Sequence, residues 1–244
     1  MTNIYKSLIS VERTLGILLD PEKMGLEEVS AFAKALSQNT PKIINKLEID
    51  QLVLLVGGST MNNVDFDRWT AHLRAKTDLP IILFPGSHKQ VSSAADAILY
   101  LNLISGRNPD YLIGEQVAAA FEVQAVGIEV IPTAYLLLDG KNESAVARVS
   151  NTNPMDQQNV DQVVKTALAG QFMGNKLIYL EAGSGAKQPV TDEIVKAVRQ
   201  RVNAPIIVGG GLRTEKAIKS KFSAGARMVV VGTAIEENLK WLDI

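Results

Sequence analysis

The chain has 244 residues, of which 46% are hydrophobic and 21% charged, and its net charge is −1. This balance is typical of a globular protein with a sizeable core, and it argues against disordered and fibrous classes. The near-zero charge, with no dense Lys/Arg cluster, argues against nucleic acid as a partner. The absence of cysteine excludes disulfides, thiolate nucleophiles and Cys-based metal sites.

The most apolar region, 117–138, is interrupted by Glu122, Glu129 and Pro132. Because each charge would be costly at a bilayer centre, we expect no stable membrane insertion. The first residues contain no apolar core of signal-peptide length, so a cytoplasmic location is expected.

Eight short runs of β-branched residues and leucine recur along the chain, each ending in Gly, Pro, Asp or Ser. Their nearly continuous hydrophobicity predicts parallel strands that are covered on both faces. The runs are 14–19, 51–56, 80–84, 97–103, 127–138 (broken at Pro132), 176–181, 205–208 and 228–231.

Helical periodicity fills most of the intervals between these runs. The predicted helices are 25–44, 63–77, 110–124, 156–173, 191–202, 214–224 and 234–241. Thr191, followed by Asp192 and Glu193, is typical of a helix N-terminus. The segment 86–96 is too short for a crossover helix of usual length, and 140–154 is predicted to form one long functional loop.

Eight strand-then-helix units in a chain of this length predict an α/β protein, a single (β/α)8 TIM-barrel domain spanning 1–244. The helix between the third and fourth strands is expected to be irregular or missing. An open doubly wound sheet would usually need fewer strands and a different glycine signature. In such a barrel the catalytic residues lie where strands end, so the residues after each run become candidates.

Three glycine-containing loops follow the last three strands. Glycine lets backbone N–H groups turn toward a ligand, so such loops can bind a phosphate dianion. The alternative is that each glycine only permits a tight turn. Neither a P-loop nor a dinucleotide-binding motif is present. The candidate residues are Gly183, Ser184, Gly209, Gly210, Gly211, Gly232 and Thr233.

Asp20 follows the first strand, and Gly57-Gly58-Ser59-Thr60 follows the second. The hydroxyl groups could complete an oxygen-rich site with Asp20, with Lys23 three residues further on. Mg²⁺ prefers such hard ligands, often with one carboxylate, substrate phosphates and water. Alternatively, Asp20 caps the next helix.

Glu181 ends the sixth strand beside the predicted phosphate loops. A carboxylate there would repel a dianion unless it contacts hydroxyl groups of the same substrate, which favours a polyol phosphate. A structural ion pair with Lys or Arg is the alternative.

Taken in this order, the motifs resemble the geranylgeranylglyceryl phosphate synthase family, including its bacterial heptaprenylglyceryl phosphate synthase relatives. The resemblance runs from the first strand to the last, and its motifs are weak singly but specific together. They are Leu19-Asp20-Pro21-Glu22-Lys23, Val56-Gly57-Gly58-Ser59, Phe84-Pro85-Gly86, Arg107-Asn108-Pro109, the segment 179–185, Ile207-Val208-Gly209-Gly210-Gly211 and Val231-Gly232-Thr233.

The resemblance implies a Mg²⁺-dependent prenyltransferase that joins the C3 hydroxyl of sn-glycerol 1-phosphate to a long polyprenyl diphosphate and releases pyrophosphate. Geranylgeranyl diphosphate is the expected donor, and a homo-oligomer, either a dimer or a hexamer, is expected.

The family's roles carry over to matching positions of this sequence. Asp20 and Ser59 would hold Mg²⁺, and Lys23 would assist either phosphate. Tyr179 and Glu181 would contact the glycerol, with Glu181 orienting or deprotonating its hydroxyl. The glycines named above, with Ser184 and Thr233, would hold the glycerol phosphate.

Two other readings of the phosphate loops stay open. The first is another phosphate-binding barrel, an isomerase or lyase of phosphosugars, and the second is a non-catalytic sensor of a phosphate ligand. Asp20 with Ser59 favours metal-assisted prenyl transfer, because an isomerase usually needs a second acid or base opposite Glu181.

Overall fold

Eight parallel strands close into one barrel in chain order in the computed structural model, which describes residues 3–60 and 64–243. For residues 240 and 243 only the backbone is described. The eight-strand barrel confirms the predicted fold class. The strands are β1 (Thr14–Leu19), β2 (Gln51–Val56), β3 (Ile81–Leu83), β4 (Ala97–Leu103), β5 (Glu129–Leu137), β6 (Leu177–Glu181), β7 (Ile206–Gly209) and β8 (Met228–Val231).

Helices surround the barrel and connect its strands. They are α1 (Ile4–Ser10), α2 (Leu26–Leu47), α3 (Phe66–Arg74), α4 (Glu115–Val126), α5 (Ala145–Ser150), α6 (Val160–Phe172), α7 (Asp192–Arg199), α8 (Glu215–Ala224) and α9 (Thr233–Glu237). A π-helical turn, Asp110–Gly114, precedes α4, and a 3-10 helix, Leu239–Asp243, follows α9. Residue 63, the predicted start of the helix that corresponds to α3, lies outside the described residues.

Alternate residues of each strand enter two separate apolar layers, which is why the strands read as continuous hydrophobic runs. On β2, Leu54 and Val56 pack toward the helices, whereas Val53 and Leu55 pack inside the barrel. All four side chains are fully buried.

The connection between β3 and β4 contains turns and bends and no helix, as expected. A barrel normally covers each strand with the helix that follows or precedes it. The outer side of β4 therefore lacks one covering helix, and Ile98 and Tyr100 of that strand line a cavity instead.

Two predicted features are corrected. Strand β5 is not broken at Pro132, because the carbonyl of that residue faces β6 and accepts from the Lys176 N–H at 2.8 Å. The N–H that proline lacks would face the segment before β6 begins, so no hydrogen bond between the two strands is lost. The region 140–154 is not a continuous loop: α5 begins where the Ser144 side chain accepts from the Ala147 N–H and ends at Asn151, with φ 50°.

Helix α1, which is not among the predicted helices, packs against the interior of the barrel. Ile4 and Leu8 are buried among residues that begin strands, including Ala97 and Met228. The Glu129 carboxylate accepts from the Ile4 and Tyr5 backbone N–H groups. The helix thus closes the amino-terminal end of the barrel.

Among the described residues, no helix combines the length and the apolar character that a membrane crossing requires.

The packing of α6 on β5 depends on a glycine. A Cβ at Gly170 would lie 2.6 Å from the Ala134 Cβ and 2.8 Å from the Ile104 Cδ1. We therefore expect Gly170→Ala to lower the free energy of unfolding by about 1–3 kcal/mol, although alanine is the better helix former. Gly114→Ala is the matched control, because its Cβ would meet nothing closer than 3.5 Å. Urea denaturation measures both, and equal stabilities would contradict this account.

Candidate active site

One cavity of about 370 Å³ opens at the carboxyl ends of the strands. It brings together residues that the sequence separates by more than 200 positions. The predicted residues that line it are Asp20, Lys23, Ser59, Glu181, Ser184, Gly210, Gly211, Gly232 and Thr233. The loop after β1, which carries Asp20, and the glycine loops after β6, β7 and β8 therefore line the same cavity.

Glu181 is the deepest charged group of this cavity, with 6% of its surface exposed. Burial raises the pKa of its carboxyl to about 7, although the Gly183 N–H, which donates at 2.6 Å, and Tyr179 both act to lower it. No Lys or Arg ion pair to Glu181 occurs within residues 3–60 and 64–243, so the structural ion pair considered above is not formed. A carboxyl with such a pKa can accept or hold a proton near neutral pH.

The backbone at the end of β7 approaches Glu181 so closely that a larger residue would displace the carboxylate or the neighbouring backbone. A Cβ at Gly209 would lie 2.6 Å from the Glu181 Oε2, and one at Gly210 would lie 2.4 Å from its Oε1. Gly210 also has φ +87°, a conformation that other residues rarely adopt. These glycines thus enclose the carboxylate as well as a possible ligand.

Three of the predicted binding residues lie behind the cavity wall. Tyr179 is fully buried, and its hydroxyl makes no hydrogen bond of normal geometry among the described residues, although it lies beside Glu181. The Gly183 N–H donates a hydrogen bond to Glu181, and Gly209 packs on Tyr179. Direct ligand binding by these three residues stays a prediction.

The loops after β6 and β8 are joined by polar contacts at the rim. The Thr233 hydroxyl lies 3.2 Å from the Ser184 Oγ and accepts from the Gly185 N–H at 3.2 Å. These contacts place the Ser184 and Thr233 hydroxyl groups side by side where a phosphate would be bound.

Asp20 follows β1, the strand that pairs with β8, so it lies at the rim next to the loop after β8. Partial burial raises the pKa of its carboxyl, whereas the Glu22 N–H, which donates at 3.1 Å, and Lys23 act to lower it. Helix α2 begins at Leu26 with Gly25 as its N-cap, so Asp20 does not cap that helix. Its oxygens remain directed toward the Gly58 backbone, where an added Cβ would lie 2.6 Å away.

Lys23 is held at the rim by two carboxylates. Its Nζ lies 2.9 Å from the Glu236 Oε2 and 3.7 Å from the Asp20 Oδ2. Burial alone would lower its pKa, but the contacts with both acids raise it above the ordinary value, so the ammonium is charged.

The loop that carries Ser59 is held by the Gln90 side chain, which belongs to none of the predicted motifs. Gln90 is fully buried, and its Oε1 accepts from the Gly58 and Gly86 N–H groups at 3.2 and 3.1 Å. Its Nε2 donates to the Gly58 carbonyl at 2.7 Å. The amide therefore fixes the Ser59 loop against the loop that follows β3.

Two further cavity residues were missed. Glu236 orients Lys23, and Arg213, which follows the Gly210–Gly211 loop, pairs with Glu237. Their distance in sequence from the predicted motifs left no local signal, although the position of Arg213 directly after a glycine loop could have suggested a phosphate contact.

In the described part of the chain, no group of three His, Cys, Asp or Glu residues could hold a metal by itself. Asp20 and the Ser59 hydroxyl instead provide one carboxylate and one neutral oxygen at the rim. That donor set fits a hard cation such as Mg²⁺ only if substrate oxygens and water supply the remaining ligands.

An apolar branch of the cavity runs from the rim toward the outer side of β4, where a covering helix is missing. It contains Val91, Ile98, Tyr100, Tyr111 and Ala119. The Tyr100 hydroxyl donates to the Gln116 carbonyl, which fixes the ring beside α4. The site therefore combines a polar rim with an apolar channel.

A family model described as the PcrB family matches residues 11–243. Curated relatives named geranylgeranylglyceryl phosphate synthase include that of Zunongwangia profunda, 44% identical over 92% of each chain. The protein of that name from Flavobacterium johnsoniae is 43% identical and covers 100% of this chain and 98% of its own.

Solved structures give the same result. The (S)-3-O-geranylgeranylglyceryl phosphate synthase of Thermoplasma acidophilum, in complex with sn-glycerol-1-phosphate, has a TM-score of 0.88 and 32% identity, covering 100% of this chain and 95% of its own. An N-acetylmannosamine-6-phosphate 2-epimerase from Clostridium perfringens has a TM-score of 0.57 at 12% identity over 98% of this chain and 94% of its own, and that likeness concerns the fold alone. The chain belongs to the PcrB family, with the geranylgeranylglyceryl phosphate synthases, and is an enzyme of the prenyltransferase class.

Proposed function

We propose that this enzyme joins the C3 hydroxyl of sn-glycerol 1-phosphate to geranylgeranyl diphosphate, in a Mg²⁺-dependent reaction that forms an ether and releases pyrophosphate. The observation that supports this most is the cavity that Asp20 and Ser59 line together with Glu181 and residues of the three glycine loops. Two phosphate-binding ends and one proton acceptor are what such a transfer requires.

The diphosphate end is assigned to the rim beside Asp20. Departure of pyrophosphate builds negative charge on oxygen, and Mg²⁺ held by Asp20 and Ser59 would neutralise that charge. The ammonium of Lys23 lies 3.7 Å from Asp20 and can contact the same leaving group.

The glycerol phosphate end is assigned to the loops after β6, β7 and β8. Ser184 and Thr233 supply adjacent hydroxyl groups, and Gly210 and Gly232 leave backbone exposed to the cavity. With the phosphate there, the glycerol chain extends toward Glu181, whose carboxylate is placed to accept the proton of the attacking hydroxyl.

The prenyl chain is assigned to the apolar branch along β4. Its walls exclude water from the reacting carbon, which suppresses hydrolysis of the allylic diphosphate. The relatives at 43–44% identity carry the geranylgeranyl name, which is the support for that donor.

The direct test is to incubate the purified protein with Mg²⁺, each glycerol phosphate enantiomer and prenyl diphosphates of several lengths. Mass spectrometry should detect an ether product with the sn-1 enantiomer and the geranylgeranyl donor. A parallel incubation with phosphosugars tests the isomerase or lyase alternative, which products from that incubation alone would favour. Binding without any product would favour a sensor.

Asp20→Ala should reduce turnover by about a hundredfold or more, because the leaving group loses its metal-assisted stabilisation. Binding of glycerol phosphate, measured by calorimetry, should change little, since the glycine loops are intact. Asp161→Ala on α6 is the matched control, because that side chain is 77% exposed. Unchanged turnover in Asp20→Ala would remove the metal role.

Glu181→Gln should lower kcat by about 100- to 10,000-fold, because the amide cannot accept the proton. In the wild type, kcat/KM should rise through pH 7 as Glu181 ionises, since its pKa is about 7. At pH 6 the rate should be about a tenth of its plateau. Glu193→Gln, at an exposed position on α7, is the control. If kcat/KM of Glu181→Gln still changes near pH 6, that change is due to ionisation of the substrate phosphate.

The same carboxyl should lower the stability of the protein at high pH. Its folded pKa of about 7 exceeds its ordinary value of 4.5, so the folded state binds the proton more tightly. The contribution of this group to the free energy of unfolding is therefore largest below pH 4.5. It falls by about 3 kcal/mol as the pH rises to 7. Relative to Glu181→Gln, wild-type unfolding free energy should fall by that amount between pH 4.5 and 8. If the unfolding free energies of the wild type and Glu181→Gln changed with pH in the same way, burial would not raise the pKa of Glu181.

A further inference from the structure

Three aromatic rings from neighbouring strand ends form a cluster beneath the cavity. The Phe84 ring lies on Tyr179, with centroids 5.1 Å apart and planes at 14°. Tyr135 packs against both rings, at centroid distances of 6.0 Å from Phe84 and 5.3 Å from Tyr179. Tyr135 and Tyr179 are almost completely buried, whereas Phe84 is half-buried.

Tyr179 stacks on one face of the half-buried Phe84 ring. Phe84 and Tyr135 both line the cavity whereas Tyr179 does not, so the uncovered side of the Phe84 ring is the one available to a ligand. No Asp, Glu, Lys or Arg side chain belongs to this cluster, and Phe84, the most exposed of its rings, offers a ligand only its aromatic surface.

The cluster lies between the two polar ends of the site. On one side, the Phe84 carbonyl lies directly against Gly57, in the loop that carries Ser59. On the other side, Tyr179 places its hydroxyl beside Glu181. The three rings therefore lie on the side of the barrel, from β3 to β6, that connects the Ser59 loop with Glu181.

We propose that the exposed face of Phe84, supported by Tyr135 and Tyr179, stabilises the positive charge that develops on the prenyl C1 during transfer. This inference rests on the proposed prenyl transfer. The C1–O bond to the diphosphate breaks, and its electron pair leaves with pyrophosphate. The glycerol oxygen supplies the pair for the new C1–O bond, and its proton goes to Glu181.

The physical basis is the negative electrostatic potential over the face of an aromatic ring. A cation within about 6 Å of a ring centroid gains free energy, and the gain is largest when water is excluded. Unlike a carboxylate, a ring cannot capture the allylic cation as an ester. An aromatic floor therefore stabilises charge without offering a competing nucleophile.

The test replaces Phe84 with mono-, di- and trifluorophenylalanine by site-specific incorporation. Fluorine withdraws electron density from the ring face with little change in shape, so folding should be retained. With geranylgeranyl diphosphate and glycerol 1-phosphate, log kcat should fall stepwise, by about tenfold over the series. The KM for glycerol phosphate should stay within about twofold, because the phosphate loops are unchanged.

The same series at Phe222 is the control, because that residue lies on the buried face of α8, in the apolar layer outside the barrel. Phe84→Leu adds a second readout: a smaller kcat and more free prenyl alcohol, since water competes for a less stabilised cation. A wild type that makes no ether would overturn the proposed function and this inference with it. Ether formation with a kcat that is independent of fluorination would overturn this inference alone.

Discussion

The burial of one carboxylate shapes the mouth of this barrel. Glu181 is charged only at the expense of desolvation, and it has no basic partner among the described residues, so the surrounding backbone must accommodate it. Gly183 donates its N–H, and Gly209 and Gly210 allow the next loop to approach both carboxylate oxygens. The glycines that form the predicted phosphate-binding pattern therefore also accommodate a buried carboxylate.

A second constraint is the missing helix between β3 and β4. Its absence leaves part of the outer side of β4 without cover, and the cavity continues into that space beside α4. A polar site confined to the barrel mouth is thereby connected to an apolar branch. The same short connection carries Gln90, which holds the Ser59 loop. One irregularity in the barrel thus serves both the apolar branch and the polar rim.

The fold and the polar rim could be predicted because both depend on local pattern. Strand ends in a parallel barrel converge, so Asp20, Ser59 and Glu181 could be expected at one face from sequence alone. Gln90 and Glu236 could not, because their roles arise from contacts across 32 and 213 positions. Pro132 was misread because its effect on a strand depends on which neighbour the lost N–H would face.

Helix α1 has a consequence for the order of folding. Its N-terminal N–H groups are capped by Glu129, a residue 125 positions further along the chain. During synthesis, the first helix therefore emerges long before the strand that completes its end and before the barrel interior that buries Ile4 and Leu8. Sealing of the barrel floor is thus a late event in biogenesis, because Ile4 and Leu8 of this helix stay unburied until the strands that cover them, the last of which is β8, have been made.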